Sequence, residues 1–221
     1  MSLLVDEIRA ALIAEADPER APAQQAYMKS EMPFLGVSMP RVRALTREIA
    51  KRHSMDLGVC QAASRELWDA ATHREERHAA LGLTGLRVAV GRLELIDLHE
   101  YQARTGAWWD YVDEISHRIS ALHDAHPAET AERVRAWARA DTFWLRRLAI
   151  ISQLQRKART DTELLTEVIE VNATDTEFFI RKAIGWALRD YAYESPEWVR
   201  AFVDTHTLSP LSQKEARKHL G

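Results

Sequence analysis

Trp109 and Asp113 are residues whose types and spacing could support chemistry. They stand four positions apart, so on a helix their side chains share a face, one turn from each other. A fixed carboxylate can stabilise a developing positive charge and orient a water molecule, and an indole face stabilises a cation. The spacing alone also fits a structural interpretation, in which Trp109 packs in the core and Asp113 is a solvated charge. That interpretation is the more frequent one, and both stay open on spacing alone.

Two further groups of candidate residues follow along the chain. Arg146 and Arg147 are adjacent forked donors of the kind that binds phosphate in bidentate fashion. Adjacent arginines on a helix nevertheless pair more often with neighbouring carboxylates, so this second interpretation also stays open. Trp186 comes next, with Asp190 four residues after it.

Other familiar catalytic motifs are absent from the sequence. The nine histidines lack metal-ligand spacing, and the single cysteine, Cys60, excludes a zinc site built from several thiolates. There is no phosphate-binding glycine loop and no Gly-x-Ser-x-Gly elbow. The sequence therefore predicts no metal and no cofactor, and any catalysis must use carboxylates, arginines and aromatic rings.

The elements that would position these residues are predicted to be helices throughout. Among 221 residues there are only 8 glycines and 7 prolines, too few for many hairpins and tight turns. Apolar residues recur at helical spacing, as in Val112, Ile115 and Ile119. We expect roughly a dozen helices with short links in one domain over residues 1–221, with Ser54 and Asp141 as two of the N-caps.

An internal repeat arranges these helices. Trp109, Trp144 and Phe179 are separated by 35 residues each time, and each lies near the start of an amphipathic helix. A period of this length in a helical chain is typical of stacked helix pairs of the HEAT, armadillo or TPR sort. The pattern predicts an α-solenoid with a concave face, on which the helices that begin near 108, 143 and 177 lie side by side.

The charge of the chain and its targeting signals limit which partners and which cellular compartment are expected. The formal net charge of −3 carries no global signature of a nucleic-acid binder. The basic residues cluster, however, so a local basic face is possible. The N-terminal stretch lacks the pattern of a signal peptide, and no apolar run is long enough to span a bilayer. With its single cysteine, the chain is expected to be cytoplasmic.

Several strings resemble those of one protein family, in order and across nearly the whole chain. They read YMK at 27–29 and PFLGV at 33–37, followed by Pro40 and Arg41; WWDYVD at 108–113; WLRRLAI at 144–150; and FFIRKAIGWALRDY at 178–191. Together they closely resemble the bacterial DNA alkylation repair glycosylases of the AlkD type. The resemblance implies a HEAT-like α-solenoid that cradles duplex DNA and excises N3- and N7-alkylated purines, acting as a monomer near the nucleoid.

The resemblance also implies roles for the candidate residues. Asp113 becomes the catalytic carboxylate, Trp109 and Trp186 the aromatic walls beside the lesion, and Arg147 a contact to the DNA backbone. Tyr27 becomes a further DNA-facing residue. The other residues predicted to contact DNA are Lys29, Arg41, Arg146, Arg181, Lys182 and Arg189.

Two alternative functions remain open on the sequence. The near-neutral charge fits a non-catalytic HEAT-like module that recognises DNA shape or a protein partner on its concave face. A metal-dependent hydrolase has little support, because no ligand set is visible. Retention of the carboxylate at position 113 favours the glycosylase over both.

Overall fold

A computed structural model of the chain describes residues 2–220, and the regular elements in that range are helical. They comprise thirteen α-helices and three short 3-10 turns, with no strand among the described residues. The all-α class is therefore confirmed. Within the same range, none of the helices combines the length and the apolar character required to cross a membrane.

The chain divides into two compact units, the first ending at Val90 and the second beginning at Gly91. A single domain over residues 1–221 thus stays a prediction. The helices of the first unit are α1 (Leu3–Ala14), α2 (Ala21–Met28), α3 (Met39–Ala50), α4 (Leu57–Asp69) and α5 (Arg74–Thr84). Within it, α1, α3 and α5 contact one another, and α4 packs on α5.

The second unit contains eight α-helices within the described residues. They are α6 (Ile96–Gly106), α7 (Trp109–Ala125), α8 (Pro127–Trp137), α9 (Phe143–Ile150), α10 (Thr162–Asn172), α11 (Phe178–Ala192), α12 (Pro196–Thr205) and α13 (Pro210–Ala216). The 3-10 turns are Leu93–Leu95, Lys157–Arg159 and Arg217–His219.

Alternate helices of the second unit form two layers. In one layer α7 contacts α9, α9 contacts α11 and α11 contacts α13, and in the other α8 contacts α10. The helices α7, α9 and α11 begin at Trp109, Phe143 and Phe178, so one period of the sequence repeat is one helix pair. Stacking of successive pairs is the packing typical of HEAT-like repeats. The prediction that these three helices lie side by side is confirmed.

Two of the predicted N-caps are wrong by one or two residues. Helix α4 is capped by Asp56, whose carboxylate accepts a hydrogen bond from the Val59 N–H at 2.8 Å, so Ser54 lies outside the helix. Helix α9 is capped by Thr142, while the Asp141 carboxylate binds Arg104. Both segments contain two residues able to cap, and because Ser, Thr and Asp have similar cap preferences, the local sequence does not distinguish between them.

Candidate active site

Helix α7 presents Asp113 and Trp109 outside its buried stripe. Val112, Ile115 and Ile119 are fully buried, as their spacing predicts. Asp113 follows Val112 directly, and its side chain is 18% exposed. Trp109, the first residue of α7, is half-buried. Their four-residue spacing on a continuous helix gives the carboxylate and the indole a common, partly open face.

Arg147 of α9 clamps the Asp113 carboxylate. Its Nε donates to Asp113 Oδ1 at 2.9 Å and its Nη2 donates to Oδ2 at 3.0 Å, which is the bidentate geometry of a strong arginine–carboxylate pair. A third donor, Nη1, binds the Phe179 carbonyl at 2.8 Å. Arg147 is only 5% exposed. The stacking of α7 on α9 therefore joins two site residues that lie 34 positions apart.

Two aromatic rings border the Arg147 guanidinium. Its central carbon lies 5.9 Å from the ring centre of Phe179 and 5.9 Å from that of Trp186, both on α11. These separations are within the range of cation–π attraction. Asp190, one turn beyond Trp186, is used differently, because its carboxylate accepts a hydrogen bond from the Gln155 N–H at 2.8 Å. The structure thus brings Asp113, Arg147 and Trp186 together and engages Asp190 with the loop after α9.

The environment of Asp113 changes its acidity. Burial raises the pKa of this carboxyl to about 6, while the Arg147 charge and its hydrogen bonds act in the lowering direction. The neighbouring Asp110 carboxylate contributes a smaller upward shift of the same pKa. Burial has the larger effect on the pKa. Removing water from the carboxylate destabilises the charged form by more than the Arg147 guanidinium stabilises it. Asp113 is still largely ionised at neutral pH.

A cluster of aromatic rings lies at the start of the three stacked helices. The ring of Trp108 is 5.9 Å from that of Trp144 and 6.0 Å from that of Phe179, and Trp144 and Phe179 are 4.9 Å apart. The buried indole Nε1 of Trp108 has no hydrogen-bond partner among residues 2–220. Sequence reasoning placed Trp109 in register with the other two rings, whereas it is Trp108 that packs with them. The aromatic doublets at 108–109, 143–144 and 178–179 were the signal for this cluster.

Arg146 and Arg181 are hydrogen-bonded to residues in the segments that precede α9 and α11. Arg146 donates to Asp175 at 2.9 Å and to the carbonyls of Ala140 and Asp141 at 2.8 and 3.0 Å. Arg181 donates to the Thr176 carbonyl, and its Nε has no partner among the described residues. Neither arginine contacts Asp113 or Arg147 through a hydrogen bond. Their predicted role in DNA binding stays a prediction.

Lys182 and Arg189 meet at a single carboxylate. Glu215 of α13 accepts from Lys182 at 2.8 Å, from Arg189 at 2.7 Å and from Lys218 at 2.8 Å. Hydrogen bonds from the two lysines lower the pKa of Glu215 to about 2. Both residues that were predicted to contact DNA therefore have an internal acidic partner, which sequence reasoning missed. The carboxylate is more than 20 positions from either residue along the chain, so no local pattern pointed to it.

The first unit contains the remaining predicted contacts. Tyr27 on α2 is 77% exposed. Lys29 follows α2 in the left-handed conformation, with φ at 48°, and is exposed. Arg41 at the start of α3 pairs with Glu15, donating to it from Nε at 2.7 Å. Tyr27 and Lys29 are accessible, whereas Arg41 is engaged with an acid.

The site in the second unit can supply one kind of chemistry. It contains an ionised carboxylate fixed by a guanidinium and bordered by indole and phenyl rings. Such a site stabilises positive charge on a neighbouring reactant and can orient water towards it. Across residues 2–220, no three histidine, cysteine, aspartate or glutamate side chains gather in a way that could hold a metal ion.

Comparison with known proteins gives a consistent assignment. The sequence matches the family model described as DNA alkylation repair enzyme over residues 8–220. Among solved structures, a predicted DNA alkylation repair enzyme from Enterococcus faecalis is 32% identical, with a TM-score of 0.84 that covers 93% of this chain and 97% of that one. No curated protein matches significantly.

Two more distant structures are also similar. The protein smu.31 from Streptococcus mutans UA159 is 16% identical, with a TM-score of 0.59 over 83% of this chain and 100% of its own, which shows the helical fold alone. The Pseudomonas fluorescens alkylpurine DNA glycosylase AlkC, bound to DNA containing an abasic site analog, is 17% identical over 98% of this chain and 60% of its own. Its TM-score is 0.47.

Proposed function

This chain belongs to the DNA alkylation repair enzyme family, and we propose from that premise that it is a DNA glycosylase. Its substrates are N3- and N7-alkylated purines in duplex DNA, and its reaction is hydrolysis of the N-glycosidic bond. The observation that carries the proposal is the Asp113 carboxylate, held by two hydrogen bonds from Arg147 and 18% exposed.

The substrate supplies its own activation. A purine alkylated at N3 or N7 is cationic, so when the C1′–N bond breaks, the bonding electrons neutralise the base and it leaves without being protonated. Positive charge then develops on the deoxyribose, as in other glycoside hydrolyses. A general acid is therefore unnecessary, and a group that stabilises a cation is what the reaction requires.

Asp113 meets that requirement. Its carboxylate stabilises the charge on the sugar and orients the water that bonds to C1′, and the proton lost by the water passes to solvent. Arg147 fixes the orientation of the carboxylate, and Trp109 and Trp186 provide the aromatic faces beside the sugar. Preorganised electrostatic groups act strongly because they do not reorganise as the charge develops.

Arg147 has donors to spare for the DNA backbone. A guanidinium has five N–H groups, and three of them bind Asp113 and the Phe179 carbonyl. Two remain, and because Arg147 is only 5% exposed, a phosphate oxygen must enter the site to reach them. The same residue can thus hold the carboxylate and fix the register of the lesion, since backbone contacts position a protein on DNA without reading its sequence.

The decisive experiment measures the release of 7-methylguanine from methylated duplex DNA. The wild type is expected to release the base, and Asp113→Asn is expected to lower the single-turnover rate about 100- to 1000-fold, the usual effect of removing one preorganised electrostatic group. Asp110→Asn is the matched control, because it removes a neighbouring charge from α7 without breaking the Arg147 clamp. No release by the wild type, or equal rates for the two variants, would exclude the mechanism.

A non-catalytic DNA- or protein-binding module is the second candidate. The ion pairs of Arg146, Lys182 and Arg189 with acids favour its protein-binding form, because they reduce the positive charge available to a DNA backbone. Under this alternative the wild type binds duplex DNA or a protein partner and releases no base. The same assay therefore separates the two functions.

A further inference from the structure

A buried carboxylate in the first unit accepts hydrogen bonds from the backbone of a loop. Glu75 lies in the first turn of α5 and is 0% exposed. Its Oε2 accepts from the Leu35 N–H at 3.0 Å, and its Oε1 accepts from the N–H groups of Gly36 at 2.9 Å and Val37 at 3.2 Å. Desolvating a carboxylate is costly unless it is hydrogen-bonded, and three charge-assisted bonds offset that cost.

The loop that Glu75 binds is tied at other points as well. The Leu35 carbonyl accepts from the Asp17 N–H at 2.8 Å, and the Pro33 carbonyl accepts from the Arg74 N–H at 3.0 Å. Gly36 has φ at 90°, and a Cβ at this position would lie 2.1 Å from the Asp17 carbonyl oxygen. Only glycine fits so close an approach. The segment 30–38 is therefore held in one conformation by α5 on one side and the turn after α1 on the other.

This loop joins α2, whose end carries the exposed candidates for DNA contact, to α3, which carries Arg41. Helix α2 ends at Met28, with Tyr27 in its last turn and Lys29 immediately after it, and α3 begins at Met39 with Arg41 in its first turn. The Lys29 N–H bonds back to Ala26 and Gln25, so the left-handed turn that presents Lys29 is continuous with the loop. A shift of the loop is therefore expected to change the position of the helix ends that it joins.

We infer that Glu75 is a positioning residue for DNA binding, because its carboxylate fixes the loop 30–38 and thereby the direction in which Tyr27 and Lys29 face the DNA. The inference rests on the proposed function. A buried anion specifies one arrangement of the three N–H groups, whereas a glutamine presents one acceptor and one donor to them. Glu75→Gln leaves N–H groups of the loop unpaired and lets it adopt other conformations.

Glu76 offers a matched control in the same turn of α5. Its carboxylate is also buried, and it binds Arg9 at 3.1 Å and the Thr72 hydroxyl at 3.0 Å, with no bond to the loop. Glu75→Gln and Glu76→Gln make the same change of charge at adjacent buried sites. If the two variants differ in DNA affinity, the difference is caused by the change in the loop. If both lose affinity equally, the cause is general destabilisation of the fold.

The experiment measures binding of an undamaged duplex by fluorescence anisotropy, which does not depend on base release. Glu75→Gln is expected to weaken binding about tenfold, equivalent to about 1.4 kcal/mol, while Glu76→Gln stays within about twofold of the wild type. At saturating DNA, the single-turnover rate of 7-methylguanine release is unchanged in Glu75→Gln, because Asp113 and Arg147 are untouched. Equal binding by the two variants would overturn the inference.

Tyr27→Ala in both backgrounds completes the test. If Glu75 acts through Tyr27, the loss caused by Tyr27→Ala is smaller in Glu75→Gln than in the wild type, and additive losses contradict the inference. Should Glu75→Gln not fold, Ser30→Ala loosens the same loop by removing the bond from Ser30 Oγ to the Met32 carbonyl. It must then weaken binding in the same direction, and unchanged binding contradicts the role of the loop. A wild type that binds no DNA instead refutes the proposed function.

Discussion

Asp113 is subject to two opposing influences at the level of the single residue. Burial favours the neutral carboxyl, and the bidentate bonds from Arg147 favour the carboxylate. The balance leaves the pKa at about 6, above the ordinary aspartate value. A carboxylate that is partly desolvated yet still ionised interacts strongly with a cation, because little water screens it. This combination suits a group that must stabilise charge on a sugar.

The activity should depend on pH through this residue. Only the ionised form of Asp113 stabilises the transition state, so the rate is expected to be constant above about pH 7. Below a pKa of about 6 it falls, tenfold for each pH unit. Single-turnover rates of 7-methylguanine release between pH 5 and 8 measure this profile. A rate that stays constant down to about pH 5 would contradict the assignment of Asp113.

The Arg147 variants show whether the clamp sets that profile. Arg147 lowers the pKa of Asp113, so Arg147→Ala should move the midpoint to higher pH. Arg147→Lys, which keeps a charge but loses the fork, should give an intermediate midpoint. A role of Arg147 in DNA binding alone would lower affinity and leave the midpoint where it is.

At the level of the helices, the close approach of α11 and α13 brings two cations of α11, Lys182 and Arg189, to Glu215. Gly185 of α11 faces α13, and a Cβ at this position would lie 2.4 Å from Glu215 Cβ and 2.9 Å from the Ser212 carbonyl oxygen. The Ser212 hydroxyl also donates to the Arg181 carbonyl at 2.9 Å. The absence of a side chain at 185 is therefore what allows Glu215 to reach Lys182 and Arg189.

Gly185→Ala is expected to separate the two helices. Overpacking against backbone atoms should lower the free energy of unfolding by about 1–3 kcal/mol, measured by urea denaturation. Gly58→Ala is the control, since its Cβ would make ordinary contact, 3.4 Å from Asp56 Oδ1, near the start of α4. There the unfolding free energy should stay the same or rise by up to about 1 kcal/mol. Equal stabilities of the two variants would show that α13 can move away from α11 without loss of unfolding free energy.

At the level of the whole molecule, the positive charge predicted to face DNA is mostly paired internally. Of the seven cationic candidates, five bind a carboxylate: Arg41, Arg146, Arg147, Lys182 and Arg189. Lys29 and Arg181 have no carboxylate partner among residues 2–220. The net charge of −3 further reduces the attraction of the protein to DNA. Electrostatic attraction to the backbone should therefore be weaker than the number of basic residues suggests.

The salt dependence of DNA binding measures how many of these pairs persist. If only Lys29 and Arg181 displace counterions, the slope of log K against log salt is about −2, whereas seven contacts would give about −6. We expect a value near −2 for an undamaged duplex, from anisotropy titrations over a range of salt concentrations. Asp175→Asn, which releases Arg146, should steepen the slope by about 1. A wild-type slope near −6 would show that the ion pairs open on DNA.

Local patterns were sufficient to predict the helices and their stacking. The spacing of Val112, Ile115 and Ile119 predicted the buried stripe of α7, and the 35-residue repeat predicted that α7, α9 and α11 lie side by side. These features depend on helical periodicity, which a few neighbouring residues express. The family strings pointed to Asp113, Arg147 and Trp186 as site residues, and the structure brings these three together. Their catalytic roles stay predictions.

The partners of the charged groups were decided by the tertiary structure alone. Arg147 binds Asp113, Glu215 forms ion pairs with Lys182 and Arg189, and Glu75 binds the loop at Leu35. Each of these contacts joins residues 26 to 40 positions apart. Their geometry depends on which helices stack and at what distance, as the Gly185 contact shows, and burial then sets the acidity of Asp113. Periodicity carries no information on these distances, so the sequence by itself determined which chemical groups are present, and packing determined which of them meet.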